Sequence, residues 1–162
     1  MQELLLSLIQ LVIAVVLSAI AAFLAFYLFQ WFSRGVDEWQ ALRQGNAAVG
    51  IVLGAVLVAV AIVLRPALFV DQTALDVGSQ AFTQVLLAEA VQLGVGLLLA
   101  VVTVVLSLYL FAFLTRGIDE VEELMKGNLA VAGLLAGVVI GVALMVSQAV
   151  DQIMHLVVTV LF

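Results

Sequence analysis

Four stretches of the chain contain no charged residue, and each is longer than the roughly 20 residues that cross a bilayer core about 30 Å thick. They are residues 4–33, 44–64, 90–115 and 127–150. Because lipid offers no hydrogen bonds to the backbone, a spanning segment must pair its own peptide groups, as an α-helix does. The pattern therefore predicts an all-α integral membrane protein with four transmembrane helices.

Composition agrees with this class and excludes several functions. Hydrophobic residues make up 67% of the chain and charged residues 10%, a balance far from that of soluble domains. The net charge of -6 leaves no basic patch for nucleic acid. The chain has no cysteine, so it forms neither disulfides nor thiolate metal sites.

The chain carries an internal repeat, because residues 27–64 recur at 109–146 with a shift of 82 positions. The recurrence includes the charged segment between two apolar runs, RGVDE in the first copy and RGIDE in the second. We interpret the chain as a four-helix bundle of two tandem two-helix repeats: a first transmembrane hairpin at 1–70, an external connection at 71–85 and a second hairpin at 86–162. Copies that enter the membrane in the same direction predict a pseudo-two-fold axis along the membrane normal.

The basic residues are distributed unevenly along the chain. Of the five Lys and Arg residues, all but Arg65 lie in the segments that join the two helices of each repeat. The positive-inside rule places these segments in the cytoplasm. Both termini and the middle connection are then predicted to lie outside.

The two cytoplasmic segments have the spacing of short amphipathic helices at the membrane interface. In IDEVEELMK, apolar residues recur at helical intervals opposite a face of acids. Asp37 with Gln40, and Asp119 with Glu122, have the spacing of a capping box, which pairs the free N–H groups at a helix start.

The repeated residues of this segment have structural explanations, although a functional polar site is the alternative. In each copy the glycine suits the left-handed residue that ends a helix, and the asparagine suits the N-cap of the next helix. The arginine can extend to the lipid headgroups. These residues are Arg34, Asp37, Gly45 and Asn46 in the first copy, and Arg116, Asp119, Gly127 and Asn128 in the second.

The RGIDE stretch and the paired segments GNAAV and GNLAV, which lead into helices rich in small residues, resemble those of a known family. The chain is similar to YjfL-like bacterial inner-membrane proteins, whose repeated unit is a domain of unknown function (number three hundred and fifty). The similarity covers roughly residues 8–150. It implies a four-helix protein of the bacterial inner membrane and leaves the mechanism open.

Small residues form stripes on two of the predicted helices. One helix carries Gly133, Gly137 and Gly141 at intervals of four, and another carries Gly50 and Gly54. Such stripes allow close helix packing, within the chain or between copies. The alternative is the wall of a narrow conduit.

Residues typical of catalysis are missing from the predicted spans. No ionisable residue lies near a midplane, and no phosphate-binding loop, nucleophile elbow or zinc-protease motif occurs. Asp151 and His155 share a helical face but form a poor metal motif. Gln92 and its repeat counterpart Gln10 are polar but not specific. We therefore expect no enzymatic activity, no cofactor and no metal.

Two functions remain open at this point. The first is a non-enzymatic membrane subunit, structural or modulatory, whose partners are the lipid bilayer and either further copies of itself or a larger membrane complex. The second is a small channel or transporter for ions or solutes, because pores can be lined by backbone, small and uncharged groups.

Overall fold

The computed structural model describes residues 2–33, 37–68, 82–117 and 119–161. Within these ranges the chain forms helices and no strand. The helices are α1 Gln2–Phe32, α2 Glu38–Arg43, α3 Ala47–Leu68, α4 Phe82–Leu114, α5 Glu120–Met125 and α6 Leu129–Leu161. The all-α prediction is therefore confirmed for the described residues.

Three of the described helical segments are long and apolar enough to cross a membrane. They are Ala47–Ala67, Ala90–Leu114 and Leu129–Val157, and the described part of α1 adds the shorter apolar stretch Ala19–Trp31. The length and apolar composition of these helices support the interpretation of the chain as a membrane protein.

The last two long helices extend beyond the charge-free runs. α4 and α6 have 33 residues each, about 50 Å at 1.5 Å per residue, which exceeds the lipid core. α4 begins before Glu89 and α6 continues past Asp151, because a charge ends a lipid-compatible run without ending a helix. The connection predicted at 71–85 lies mostly outside the described residues, and α4 occupies its last part.

α3 lies at the centre of the fold. It packs most extensively on α6, and also on α4 and α1, while α4 packs on α6 as well. The short helix α2 packs on α3, and α5 packs on both α6 and α3. The buried side of α3 consists mainly of small and β-branched residues that permit close helix contact. Its members with at most 1% exposure include Ala48, Val49, Val52, Val56, Ala59, Val60 and Val63.

Candidate functional site

The strongest repeated pattern, the charged segment of each copy, folds into two similar joints: the first joint at residues 33–46 and the second at 115–128. Gly45 has a φ of +79° and so does Gly127, a conformation that glycine adopts without a side-chain clash. The Gly45 N–H donates to the Leu42 carbonyl at 3.0 Å, and the Asn46 N–H donates to the Ala41 carbonyl at 2.9 Å. This pair of bonds is a Schellman motif. The second joint contains the same motif, formed by the N–H groups of Gly127 and Asn128.

An aspartate begins the short helix of each joint. Asp37 Oδ1 accepts the Gln40 N–H at 2.9 Å, and Asp119 Oδ1 accepts the Glu122 N–H at 3.0 Å. Each aspartate thus pairs one of the N–H groups that a helix start leaves free.

Asn46 links the two repeats. Its Oδ1 accepts the N–H groups of Ala48 at 3.0 Å and Val49 at 3.3 Å, which caps α3. Its Nδ2 donates to the carbonyls of Leu124 at 2.9 Å and Met125 at 3.1 Å, at the end of α5. One side chain therefore bonds backbone groups at the ends of helices in different repeats.

Asn128 caps α6 in the same way, but it bonds no residue of the first repeat among those that the structure describes. Its Nδ2 donates to Glu123 Oε2 at 2.8 Å, within its own joint. The first joint has Ala41 at the position of Glu123, so Asn46 has no carboxylate at the equivalent place to bond. The two joints are alike in backbone, and their asparagine side chains differ in the groups to which Nδ2 donates.

The second joint also carries a small exposed charge network. The hydrogen bond from Asn128, followed by the contact with Lys126, lowers the pKa of Glu123. The Glu122 and Glu123 carboxylates raise the pKa of Lys126, at N–O distances of 2.8 and 3.1 Å. These groups are open to solvent, so the network contributes little stability.

We predict that Asn46→Ala is more damaging than Asn128→Ala. Loss of the cap should cost about 1 kcal/mol at either position. Asn128→Ala also loses the bond to Glu123, but water can replace it because that carboxylate is partly exposed. Asn46→Ala loses two bonds to the end of α5 instead, so its total should reach about 2 kcal/mol. The measurement is the free energy of unfolding of both variants in the same lipid or detergent. Equal losses would show that the bonds between the repeats contribute nothing.

A second repeated pair joins each long helix to the short helix that follows it. The Ser33 hydroxyl hydrogen-bonds to Glu38 Oε1, and the Thr115 hydroxyl hydrogen-bonds to Glu120 Oε1. Glu38 is only 2% exposed, and its Oε2 has no hydrogen-bond partner among the described residues. Sequence reasoning missed this pair, although the signal was present: a hydroxyl residue precedes glutamate by five positions in both copies.

The arginines of the joints are only partly described. Arg34 lies outside the described residues. Arg116 is exposed, and its guanidinium lies 4.2 Å from the centre of the Phe113 ring. Phe113 is itself exposed, so the cation–π contact lies on the outer surface of α4.

The glycine stripe of α6 does not pack inside the chain. Gly133 and Gly137 are exposed and Gly141 is half-buried. A Cβ built on any of the three would meet no atom within 4 Å. The stripe therefore lies open on the surface of the described chain.

The glycines of α3 also leave room around them. A Cβ on Gly50 would contact Leu42 at an ordinary 3.7 Å, and a Cβ on Gly54 would meet nothing. Two helices instead approach each other closely at Gly96 of α4. A Cβ on this glycine would come within 2.6 Å of the Cβ of Ala67 in α3. Sequence reasoning missed Gly96, because an isolated glycine does not show which way it faces.

The two repeats bury different faces of their second helices. Val52 and Val63 of α3 are fully buried, whereas their repeat counterparts Leu134 and Met145 of α6 are 57% and 80% exposed. A two-fold relation would bury equivalent positions, so the packing departs from the predicted pseudo-two-fold symmetry. We name the uncovered surface the open face of α6; it consists of Ala130, Gly133, Leu134, Gly137, Gly141 and Met145.

The buried face of α4 carries three polar side chains. Thr103 donates to the Leu99 carbonyl and Ser107 to the Thr103 carbonyl, both at 2.7 Å, so these hydroxyls bond their own helix. Gln92 is 1% exposed, and neither the oxygen nor the nitrogen of its amide has a hydrogen-bond partner in the described part of the chain. Asp151 and His155 are exposed on α6, and no group of three metal-binding side chains occurs among the described residues.

Comparison with known proteins identifies a repeated domain. The family described as Domain of Unknown Function (DUF350) matches twice, at residues 3–93 and 82–162. The two matches confirm the tandem copies that the sequence predicts. No curated protein and no solved structure matches the chain.

Proposed function

The chain belongs to the DUF350 family, and on that premise we propose that it is a non-enzymatic, multi-pass subunit of the bacterial inner membrane that assembles with further copies of itself. Its role is structural or modulatory. α1, α3, α4 and α6 are the four spans of the proposed bundle. The two joints lie in the cytoplasm and both termini lie outside.

The distribution of side chains supports the bilayer as its surroundings. Large apolar side chains are exposed along the long helices, among them Phe23, Leu98 and Met145 at 75%, 63% and 80%. A soluble protein rarely exposes so much apolar surface. Trp31 precedes the first joint and Trp39 lies within it, where the proposed topology places the membrane interface that indoles favour.

The open face of α6 is the observation that carries the assembly proposal. Leu134, Gly137 and Met145 correspond to Val52, Ala55 and Val63 of α3, which neighbouring helices cover. The small side chains of these α3 residues allow close packing. α6 presents glycine at the centre of the same face, so a helix could approach its backbone still more closely. A second copy of the chain supplies helices of the kind that cover α3.

A channel is the second candidate, and Gln92 is the observation that favours it. An amide buried without partners is costly, and a water or solute passing along α4 would pair it. The hydroxyls of Thr103 and Ser107 continue the same face but already bond their own helix. The subunit therefore remains the first proposal.

One experiment separates the two candidates. The protein is purified from native membranes without detergent exchange, its co-purifying subunits are identified, and the same preparation is placed in liposomes. We expect particles with several copies of the chain and no ion flux above that of empty vesicles. Flux from a particle with a single copy would favour the channel.

A further inference from the structure

We propose that two copies of the chain bind a Zn²⁺ ion between their α6 helices, through Asp151 and His155 of each copy. The proposal rests on the self-assembly proposed above. It goes further by naming the helices that meet and the ligand that joins them. Its basis is a line of exposed residues along α6 that becomes polar toward the C-terminal end of the helix.

The residues of this line follow a heptad spacing. From Gly137 they recur at alternating intervals of four and three residues, the pattern that keeps one side of a helix against a partner in a left-handed coiled coil. We name this line the α6 seam; it consists of Gly137, Gly141, Leu144, Gln148, Asp151 and His155. Gly141 is half-buried and the other members are exposed. The α6 seam begins on the open face of α6 and extends it toward the C-terminus.

The opposite side of α6 packs on its own chain over the same length. Leu135 and Val139 are 0% exposed, Val150 is 1% exposed and Met154 is 4% exposed. Met154 reaches α4, where its Cε lies 3.8 Å from the place that a Cβ on Gly96 would occupy. The core of the chain therefore holds α6 in place as far as Met154, and the α6 seam points away from the described helices.

A parallel pair of α6 helices brings each residue of the seam next to its own counterpart. Copies in one membrane share the orientation of their spans, and the two-fold dimer is the commonest symmetric assembly. In a parallel coiled coil the residues of the seam meet at the same level. Gln148 then faces Gln148 of the second copy, and a polar residue at such a position fixes the register of the two helices.

Asp151 and His155 supply metal ligands at the polar end of the seam. They are four residues apart and both exposed, so their side chains lie on one side of the helix with Cβ atoms about 5–6 Å apart. Helical residues at this spacing bind a single zinc ion, as the two histidines of zinc-protease helices do. One chain offers two ligands, which is too few for zinc. Two copies offer two imidazoles and two carboxylates, a complete tetrahedral set.

The charge and ligand type of the paired seam favour zinc. The two Asp151 carboxylates lie at the same level and repel each other, and a divalent cation between them removes this repulsion. The imidazoles add nitrogen ligands, which suit Zn²⁺ better than Mg²⁺ or Ca²⁺. Asp151 directly follows the charge-free run 127–150, so in the proposed topology the site is open to the water outside the membrane.

Energy transfer between labelled copies in lipid vesicles, measured against dilution with lipid, tests the proposal. The full chain is purified without a histidine tag, because His155 is the only histidine of the sequence, and a chelator removes bound metal. We expect micromolar Zn²⁺ to strengthen association at least about tenfold and Mg²⁺ to leave it unchanged. His155→Ala and Asp151→Asn should lose the response to zinc. The control Glu122→Gln, which changes an exposed carboxylate of the second joint, should keep it.

The zinc bound by the wild-type protein provides a second measurement. We expect about one ion for two chains, with two imidazoles around it in the X-ray absorption spectrum. A single imidazole around each zinc would overturn the proposal. Copies that associate without zinc and do not respond to it would also overturn it and leave the self-assembly intact. If the copies stay separate with and without zinc, the assembly proposal fails as well.

Discussion

Gly96→Ala is expected to destabilise the protein by about 2–3 kcal/mol, although the change adds a single methyl group. The new Cβ would lie 2.6 Å from the Ala67 Cβ, well inside the normal contact distance of about 3.5–4.0 Å. Both atoms are fixed to helix backbones, so α3 and α4 must move apart to relieve the overlap. The measurement is the free energy of unfolding in lipid or detergent.

Two further variants test whether the loss of stability comes from the contact between Gly96 and Ala67. Gly94→Ala adds the same methyl group on the same helix, where no atom lies within 4 Å, so it should be neutral or stabilise the helix by up to about 1 kcal/mol. Ala67→Gly removes the opposing Cβ and should recover most of the loss in the double variant. Equal effects of Gly96→Ala and Gly94→Ala would show that α3 and α4 do not approach closely at this point.

Gly137→Leu is expected to weaken self-association by at least about tenfold, or 1.4 kcal/mol, and to leave the folded chain intact. A branched side chain on the open face of α6 would keep a second helix from approaching the backbone. The chain itself has room for it, because no atom lies within 4 Å of a Cβ at this position. Energy transfer between labelled copies in lipid vesicles, measured against dilution with lipid, gives the association.

The control for this prediction is Gly94→Leu, which makes the same change on an exposed position of α4. It should associate like wild type. If Gly137→Leu associates normally but abolishes an ion flux that wild-type liposomes show, the stripe borders a conduit and the assembly proposal is wrong.

Three long apolar helices and the two joints could be predicted from the sequence because their causes are local. Charges interrupt the apolar runs, and the residues at the joints are selected by backbone needs within a few positions, as Asp37 and Gly45 illustrate. The helix ends were less predictable. α6 continues past Asp151 because its backbone bonds do not depend on whether the surroundings are lipid or water.

The direction in which a helix face points could not be predicted, because it depends on which neighbours pack against it. Gly137 and its counterpart Ala55 occupy equivalent places in the repeat, yet one is exposed and the other is buried. The isolation of Glu38 was hidden for the same reason. Residues distant in sequence, from α1, α3 and α5, line a cavity around it.

Photo-crosslinking in native membranes tests most directly whether a second copy covers the open face of α6. A photoreactive residue is placed at Leu134 or Met145 on that face, and at Leu98 on the exposed side of α4 as the control. The adducts are then identified by mass spectrometry. We predict chain-to-chain products from positions 134 and 145 and lipid adducts from position 98. Lipid adducts alone from all three positions would contradict the account.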